Sequence, residues 1–268
     1  MKYIIICVAA MLVCFGVAYG IMRLIRKKAG KPKKGLMTLL PTVGAGLVLM
    51  AGGTFAYLGI YSHAGEVAEA AMRGDETVAV SEVDGGYFFD GPGESKALVF
   101  YPGAKVESAA YAPLMLRISK QGIDCFLAEM PFNFAILGSN TADAFTSAYA
   151  YDSWIMAGHS MGGFIAANYA IAHADTISGI ALLASYATSP VDERLSLCSI
   201  YGSLDGCLDW AEYEAKQTNW PTRFEEVVIE GGNHAQYGDY GQQSGDNEAT
   251  MSAEEQQEAT AQAIADFF

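Results

Sequence analysis

The stretch Ser153-Trp154-Ile155-Met156-Ala157-Gly158-His159-Ser160-Met161-Gly162-Gly163-Phe164-Ile165-Ala166-Ala167 joins an apolar run to an Ala-rich helical pattern through a G-x-S-x-G turn. That order reads as strand, sharp turn and helix, with the serine backbone held in a strained conformation at the top of the turn. Only small residues two before and two after the serine let the strand and the departing helix pass this closely, and Gly158 and Gly162 fill those positions, with Gly163 adding room. The bare pattern is weak in a chain with 29 glycines; the flanking strand and helix give it weight.

The same alternation continues on both sides. Thr77 to Val83 and Gly86 to Phe89 read as a hairpin around Asp84-Gly85, and Ala97 to Tyr101 as a short apolar strand ending at Pro102-Gly103. Glu107 to Lys120 reads as a helix, Ile123 to Ala128 and Ser153 to Ala157 as strands, and Met161 to His173 as a helix. Ile177 to Ala184, Leu197 to Tyr201 and Phe224 to Ile229 are further strands, Gly238 to Asn247 is a polar loop, and Ala253 to Phe268 closes the chain as a helix. Apolar strands separated by helices specify an α/β fold with a mostly parallel sheet covered on both faces.

The N-terminal part is of another kind. The first 62 residues carry eight Lys or Arg and no acid, whereas residues 63–268 carry the other eight basic residues and all 30 acidic ones, a net charge of −22. Tyr3 to Met22 and Leu36 to Ser62 are uncharged runs of 20 and 27 residues, each long enough to cross a bilayer as a helix. Arg23, Arg26, Lys27, Lys28, Lys31, Lys33 and Lys34 lie between them, and the positive-inside rule keeps such a loop in the cytoplasm. The expectation is a transmembrane hairpin over residues 1–62, a connector over 63–76 that reads as a polar, Ala-rich helix from His63 to Asp75, and one extracytoplasmic domain over 77–268. A competing reading takes the first run as a cleaved signal peptide ending at Ala18-Tyr19-Gly20, although only Lys2 precedes that run and the positive cluster follows it. Gly44, Gly46, Gly52 and Gly53 read as ordinary membrane-helix glycines or as points of close helix approach.

Cys7 and Cys14 fall in the first run, and the odd remainder of Cys125, Cys198 and Cys207 argues against a disulfide framework. No CxxC and no His cluster with metal-ligand spacing appears, so neither a metal nor another cofactor is expected. The acidic domain disfavours nucleic acid as a partner.

A serine hydroxyl becomes a nucleophile when a base removes its proton, and that base needs a carboxylate to fix its tautomer. Four histidines are available. His63 adjoins the second apolar run, His159 lies within the turn, and His173 ends the following helix. His234 alone follows a late strand, in Gly231-Gly232-Asn233-His234-Ala235-Gln236-Tyr237-Gly238, where a base belongs. For the acid, Asp205 follows the strand at Leu197 to Tyr201; Asp209 is its nearest rival, and Glu230 sits too close to His234 in sequence. A developing oxyanion needs two N–H donors. The Met161 amide directly follows Ser160, and Pro102 has no N–H, so Gly103 or Ala104 supplies the second.

With the sets YPGAKVE (101–107), PFNFAIL (131–137), GHSMGG (158–163), YGSLDG (201–206) and GGNHAQYGDYG (231–241), the chain from about Ala97 to Phe268 resembles the α/β-hydrolase superfamily, and within it a bacterial, often membrane-anchored branch. The resemblance implies the fold, a Ser160, Asp205, His234 triad and an ester-hydrolase-type activity. YPG stands where lipases and many esterases carry HGGG, and serine stands where the comparably compact dienelactone hydrolases use cysteine.

Met130, Pro131, Phe132, Phe134, Ile136 and Leu137 either line an apolar acyl pocket or pack a helix on the sheet. The 74 positions from Ser160 to His234 leave no room for a large lid, which suits small or extended acyl esters at an open site. The leading expectation is a membrane-anchored serine hydrolase that cleaves a carboxylic ester, or a thioester, through an acyl-enzyme; a silent hydrolase fold serving as an extracytoplasmic binding module, and acyl transfer or peptidase activity on the same triad, are the competing functions.

Overall fold

The computed structural model describes residues 2–30 and 35–268, with side chains for residues 11–30 and 39–268. Lys31, Lys33 and Lys34 of the basic loop, and the Cys7 side chain, lie outside the described residues. The chain forms two compact units, Met1–Ile60 and Tyr61–Phe268.

The first unit holds two helices, α1 (Lys2–Lys28) and α2 (Gly35–Leu58). Arg26, Lys27 and Lys28 in the last turn of α1 complement the negative end of its dipole, and Gly30, at φ 64°, takes the left-handed conformation that commonly ends a helix. Among the described residues one stretch, Leu39–Leu58, is long and apolar enough to cross a membrane. Gly46 lies against α1, because a Cβ there would fall 2.5 Å from the Phe15 ring, whereas Gly44, Gly52 and Gly53 meet nothing within 4 Å. Close approach therefore explains one of the four glycines.

The second unit is built on one eight-stranded sheet. After α3 (Glu66–Ala71) come β1 (Ala79–Val83), β2 (Gly86–Asp90) and β3 (Lys96–Tyr101), then α4 (Ala112–Lys120), β4 (Asp124–Ala128), α5 (Ala142–Ala148) and β5 (Ser153–His159). They are followed by α6 (Met161–Ala172), β6 (Ile177–Leu183), β7 (Ser196–Gly202), α7 (Trp210–Lys216), β8 (Phe224–Ile229) and α8 (Ala253–Phe267). The order is β1-β2-β4-β3-β5-β6-β7-β8, antiparallel only at the β1–β2 and β2–β4 pairs. The chain steps outward from β3 to β4 and then back across to β5, so the strand order reverses between β3 and β5, where such sheets open a crevice at their carboxyl ends.

Successive strand residues serve opposite faces. Leu98 and Phe100 of β3 and Ile155 and Ala157 of β5 pack with Leu114, Met115 and Ile118 of α4 and Ala261 and Ile264 of α8. Val99 and Tyr101, with Trp154 and Met156, pack with Phe145 of α5 and Ile165, Ala166 and Ala170 of α6 on the other face. Burial on both faces is why these strands read as continuous apolar runs.

Three local features depart from the sequence reading. The helix expected from Glu107 begins at Ala112, because Ser108–Tyr111 closes as a 3₁₀ turn and Pro113 sits in the first helical turn, where its missing N–H costs nothing. The connector from His63 is helical only over Glu66–Ala71 and belongs to the second unit. Helices α5 and α7, seven residues each, have too few turns to show a helical period. By contrast α8 carries a legible start: Ser252 accepts Glu255 N–H while the Glu255 carboxylate accepts Ser252 N–H, a capping box.

Candidate active site

Ser160 stands between β5 and α6 at φ 52° and ψ −121°, a conformation L-residues adopt only when their surroundings impose it. Its N–H donates to Leu183 O (2.9 Å) at the end of β6, and its carbonyl accepts from Ser185 Oγ (2.7 Å) and Gly163 N (3.1 Å). The flanking glycines are steric requirements. A Cβ on Gly158 would lie 2.5 Å from the Gly162 carbonyl carbon, and one on Gly162 would collide with the Tyr101 and Pro102 carbonyl oxygens. Gly162→Ala is therefore expected to destabilise the domain by about 3 kcal/mol, the upper part of the ordinary range for overpacking, because backbone rather than a movable side chain stands in the way. Urea unfolding measures it.

Asp205 lies beyond β7 and His234 beyond β8, both almost fully buried. His234 Nδ1 is 2.8 Å from Asp205 Oδ2, and Asp205 Oδ1 accepts the N–H groups of Cys207 (2.8 Å) and Leu208 (2.7 Å). A carboxylate accepting at Nδ1 assigns the histidine proton to that nitrogen and leaves the Nε2 lone pair for a substrate-side proton. Nε2 is buried and has no hydrogen-bond partner, so no bond joins it to the Ser160 hydroxyl here. Without substrate, the hydrogen bond between a nucleophile and its base is often long or poorly aligned. The His234 ring is nonetheless brought to the turn, with its centroid 4.4 Å from that of His159, the residue before Ser160. The rival acid Asp209 is used elsewhere, as the N-cap of α7 accepting Glu212 N–H (3.2 Å), and Glu230 is exposed. His63 is exposed, and His173 stacks on Tyr169.

Residues that sequence reasoning missed hold the two loops together. Asp246 accepts Gly206 N–H through Oδ1 (3.0 Å) and Ala235 N–H through Oδ2 (2.9 Å), so one carboxylate bridges the neighbours of Asp205 and His234. Gln256 of α8 pairs with both backbone groups of Asn233, accepting its N–H (2.9 Å) and donating to its carbonyl (2.8 Å). Nothing in the pattern of the polar loop or of α8 announces either contact.

The loop after β3 accounts for its amides almost completely. Gly103 N–H donates to Tyr111 Oη (3.1 Å), Lys105 N–H to Asn133 O (2.7 Å) and Val106 N–H to Gly103 O (3.4 Å), and Pro102 has none. Ala104 N–H makes no hydrogen bond among the described residues. At the start of α6 the Met161 N–H is one of the amides that a helix leaves without an internal acceptor.

Tyr111 Oη accepts from Gly103 N–H and lies within hydrogen-bond distance, 2.8 Å, of His159 Nδ1. Complete burial, then the neighbouring His234, hold the His159 pKa well below the ordinary histidine range. Because the unfolded state takes up a proton near pH 6.5 that the folded state refuses, this group's contribution is intact above that pH and lost as pH falls below it. Wild type is expected to lose about 1.4 kcal/mol of stability per pH unit below about pH 6.5 relative to His159→Gln, as measured by denaturant unfolding across that range.

Of the residues considered for an acyl pocket, Met130 is buried while Phe132, Ile136 and Leu137 are more than half exposed. They sit on two 3₁₀ turns, Pro131–Asn133 and Ala135–Leu137, and Asn133 joins the loop of Ala104 through Lys105. These exposed apolar side chains therefore stand beside the loop after β3 rather than in the core.

A strained serine at a strand-to-helix turn, with a carboxylate and imidazole following in that chain order on late loops of a mostly parallel sheet, defines an α/β-hydrolase. Residues 97–258 match the model of the Alpha/beta hydrolase family, and the chain belongs to that family. No curated protein matches its sequence. Among solved structures it is similar to dienelactone hydrolase from Anabaena variabilis, at 14% identity and a TM-score of 0.54 over 72% of this chain and 98% of that one. It is similar also to a predicted CIB-like hydrolase from Thermoplasma acidophilum, at 15% identity and a TM-score of 0.53 over 71% and 99%. Epoxide hydrolase A from Mycobacterium thermoresistibile follows the same fold at 8% identity and a TM-score of 0.53 over 72% and 98%. At these identities the likeness is one of fold.

Proposed function

We propose that the chain is a membrane-anchored serine hydrolase that cleaves a carboxylic ester through an acyl-enzyme, with Ser160 as nucleophile, His234 as base and Asp205 as its partner. The observation that carries this reading is the buried Asp205–His234 hydrogen bond (2.8 Å) set against the strained Ser160 turn. Ser160 Oγ attacks the ester carbonyl while His234 Nε2 takes the hydroxyl proton, and the Asp205 carboxylate stabilises the imidazolium that forms. The N–H groups of Met161 and Ala104 receive the oxyanion; Gly103 is excluded because its N–H is committed to Tyr111. His234 then protonates the leaving alcohol, and water, activated by the same nitrogen, releases the acid.

In this reading both N-terminal helices lie in the bilayer, the basic loop stays in the cytoplasm and the acidic domain works outside. The exposed Phe132, Ile136 and Leu137 form one wall along which an acyl chain lies. A panel of p-nitrophenyl esters of increasing chain length tests the reaction class: turnover lost in Ser160→Ala supports it, and folded protein without turnover on any member counts against ester hydrolysis. Adding an alcohol acceptor and analysing products separates hydrolysis from acyl transfer.

A further inference from the structure

The segment Ser62 to Ala68 lies across both loops that flank the candidate site. At one end Ser62 N–H donates to Lys105 O (2.8 Å), Glu107 N–H donates to Ser62 O (2.9 Å), and Ser62 pairs with Val106 as a parallel β-bridge. The Glu107 carboxylate turns back onto the same segment, with Oε2 accepting Ala64 N–H (3.0 Å) and lying 3.2 Å from His63 Nδ1. At the other end Gly65 N–H donates to Asp239 O (2.8 Å) and Ala68 N–H to Asp239 Oδ2 (2.8 Å). A Cβ on Gly65 would fall 2.6 Å from that carboxylate oxygen, so the approach is as close as a glycine allows.

These anchor points adjoin the chemistry. Lys105 follows Ala104 and holds a left-handed backbone, φ 61°, that relaxes unless its peptide groups are pinned. Asn133 pins its N–H and Ser62 pins its carbonyl. Asp239 closes the stretch that begins at His234, passes through the turn Ala235–Tyr237, and is itself tied by its N–H to Ala110 O (2.8 Å). The family match begins at residue 97, so the segment lies outside the part shared with that family.

We propose that Ser62–Ala68 is a positioning strap: it holds the Ala104 amide and the His234 loop in register, and catalysis by the domain depends on these residues just after the N-terminal helices. The inference rests on the serine-hydrolase reading. A displaced oxyanion donor weakens the transition state more than the bound ester, so the loss falls on kcat rather than KM.

The test uses the full-length, detergent-solubilised protein, with p-nitrophenyl butyrate turnover, the rate of Ser160 labelling by a fluorophosphonate, and thermal unfolding measured on each variant. Ser62→Pro removes the donor to Lys105, Gly65→Ala pushes on Asp239, and Glu107→Ala removes the acceptor for Ala64, which Glu107→Gln restores. A single oxyanion-hole donor is ordinarily worth about 100-fold or more in kcat. Misplacing one through the strap is expected to slow turnover and labelling about tenfold or more in Ser62→Pro, Gly65→Ala and Glu107→Ala, with KM within about twofold of wild type. Glu107→Gln is expected to recover most of that loss. Folded Gly65→Ala and Glu107→Ala proteins that turn over and label at the wild-type rate would overturn the strap alone. A wild type that shows no Ser160-dependent labelling would overturn the hydrolase reading and the strap together.

Discussion

A Ser160→Ala protein is expected to fold like the wild type and to hydrolyse p-nitrophenyl esters on the order of 10⁴-fold more slowly or worse, as when the nucleophile of a serine triad is removed. The substitution removes one oxygen. The N–H bond to Leu183 and the carbonyl bonds to Ser185 and Gly163 are backbone interactions of residue 160 and survive it. Alanine carries the same positive-φ strain as serine, so the turn is neither relaxed nor newly burdened. Ser153 provides the contrast: its hydroxyl lies 2.6 Å from that of Ser178, at the start of β5 and away from the turn, and Ser153→Ala is expected to leave turnover unchanged.

Asp205→Asn is the second large effect, again on the order of 10⁴-fold in kcat, and it acts through a proton rather than through shape. The amide oxygen of asparagine can keep the Cys207 and Leu208 N–H groups that Asp205 Oδ1 accepts. Its NH₂ then faces His234 Nδ1, a donor where a carboxylate had been. The imidazole must present a lone pair at Nδ1, its proton moves to Nε2, and the base is blocked toward Ser160. Stability changes little because the buried contacts are conserved, while loss of the carboxylate also removes the charge that stabilises the imidazolium. The double variant Ser160→Ala, Asp205→Asn is expected to be no slower than Ser160→Ala alone, since residues acting as one unit do not contribute additively.

Much of this arrangement was legible in the chain. Strands buried on both faces, such as β5 and β7, announce themselves as short apolar runs, and the glycines around Ser160 announce a turn that any side chain would obstruct. Four histidines leave one that follows a late strand. The remaining features were hidden for equally physical reasons. Helices α5 and α7 are two turns long, too short for periodicity to separate them from loop. Gly103 and Ala104 are equivalent amide donors in the sequence, and only the fold brings Tyr111, eight residues on, to accept the Gly103 N–H. Asp246 and Gln256 act across separations of 40 and 23 residues, and the strap reaches 171 residues from Ala68 to Asp239. Such contacts exist only once the sheet has placed its loops. The two apolar runs gave helices α1 and α2 as their length implied, while the charge between them, not their packing, carries the proposed orientation.

Fluorophosphonate labelling of the whole protein, followed by peptide mass mapping, tests Ser160 as the nucleophile. A single adduct on the peptide containing Ser160, absent in Ser160→Ala and slowed in Asp205→Asn, is the expected result. An adduct at another residue, one that persists in Ser160→Ala, or none in folded protein would contradict it.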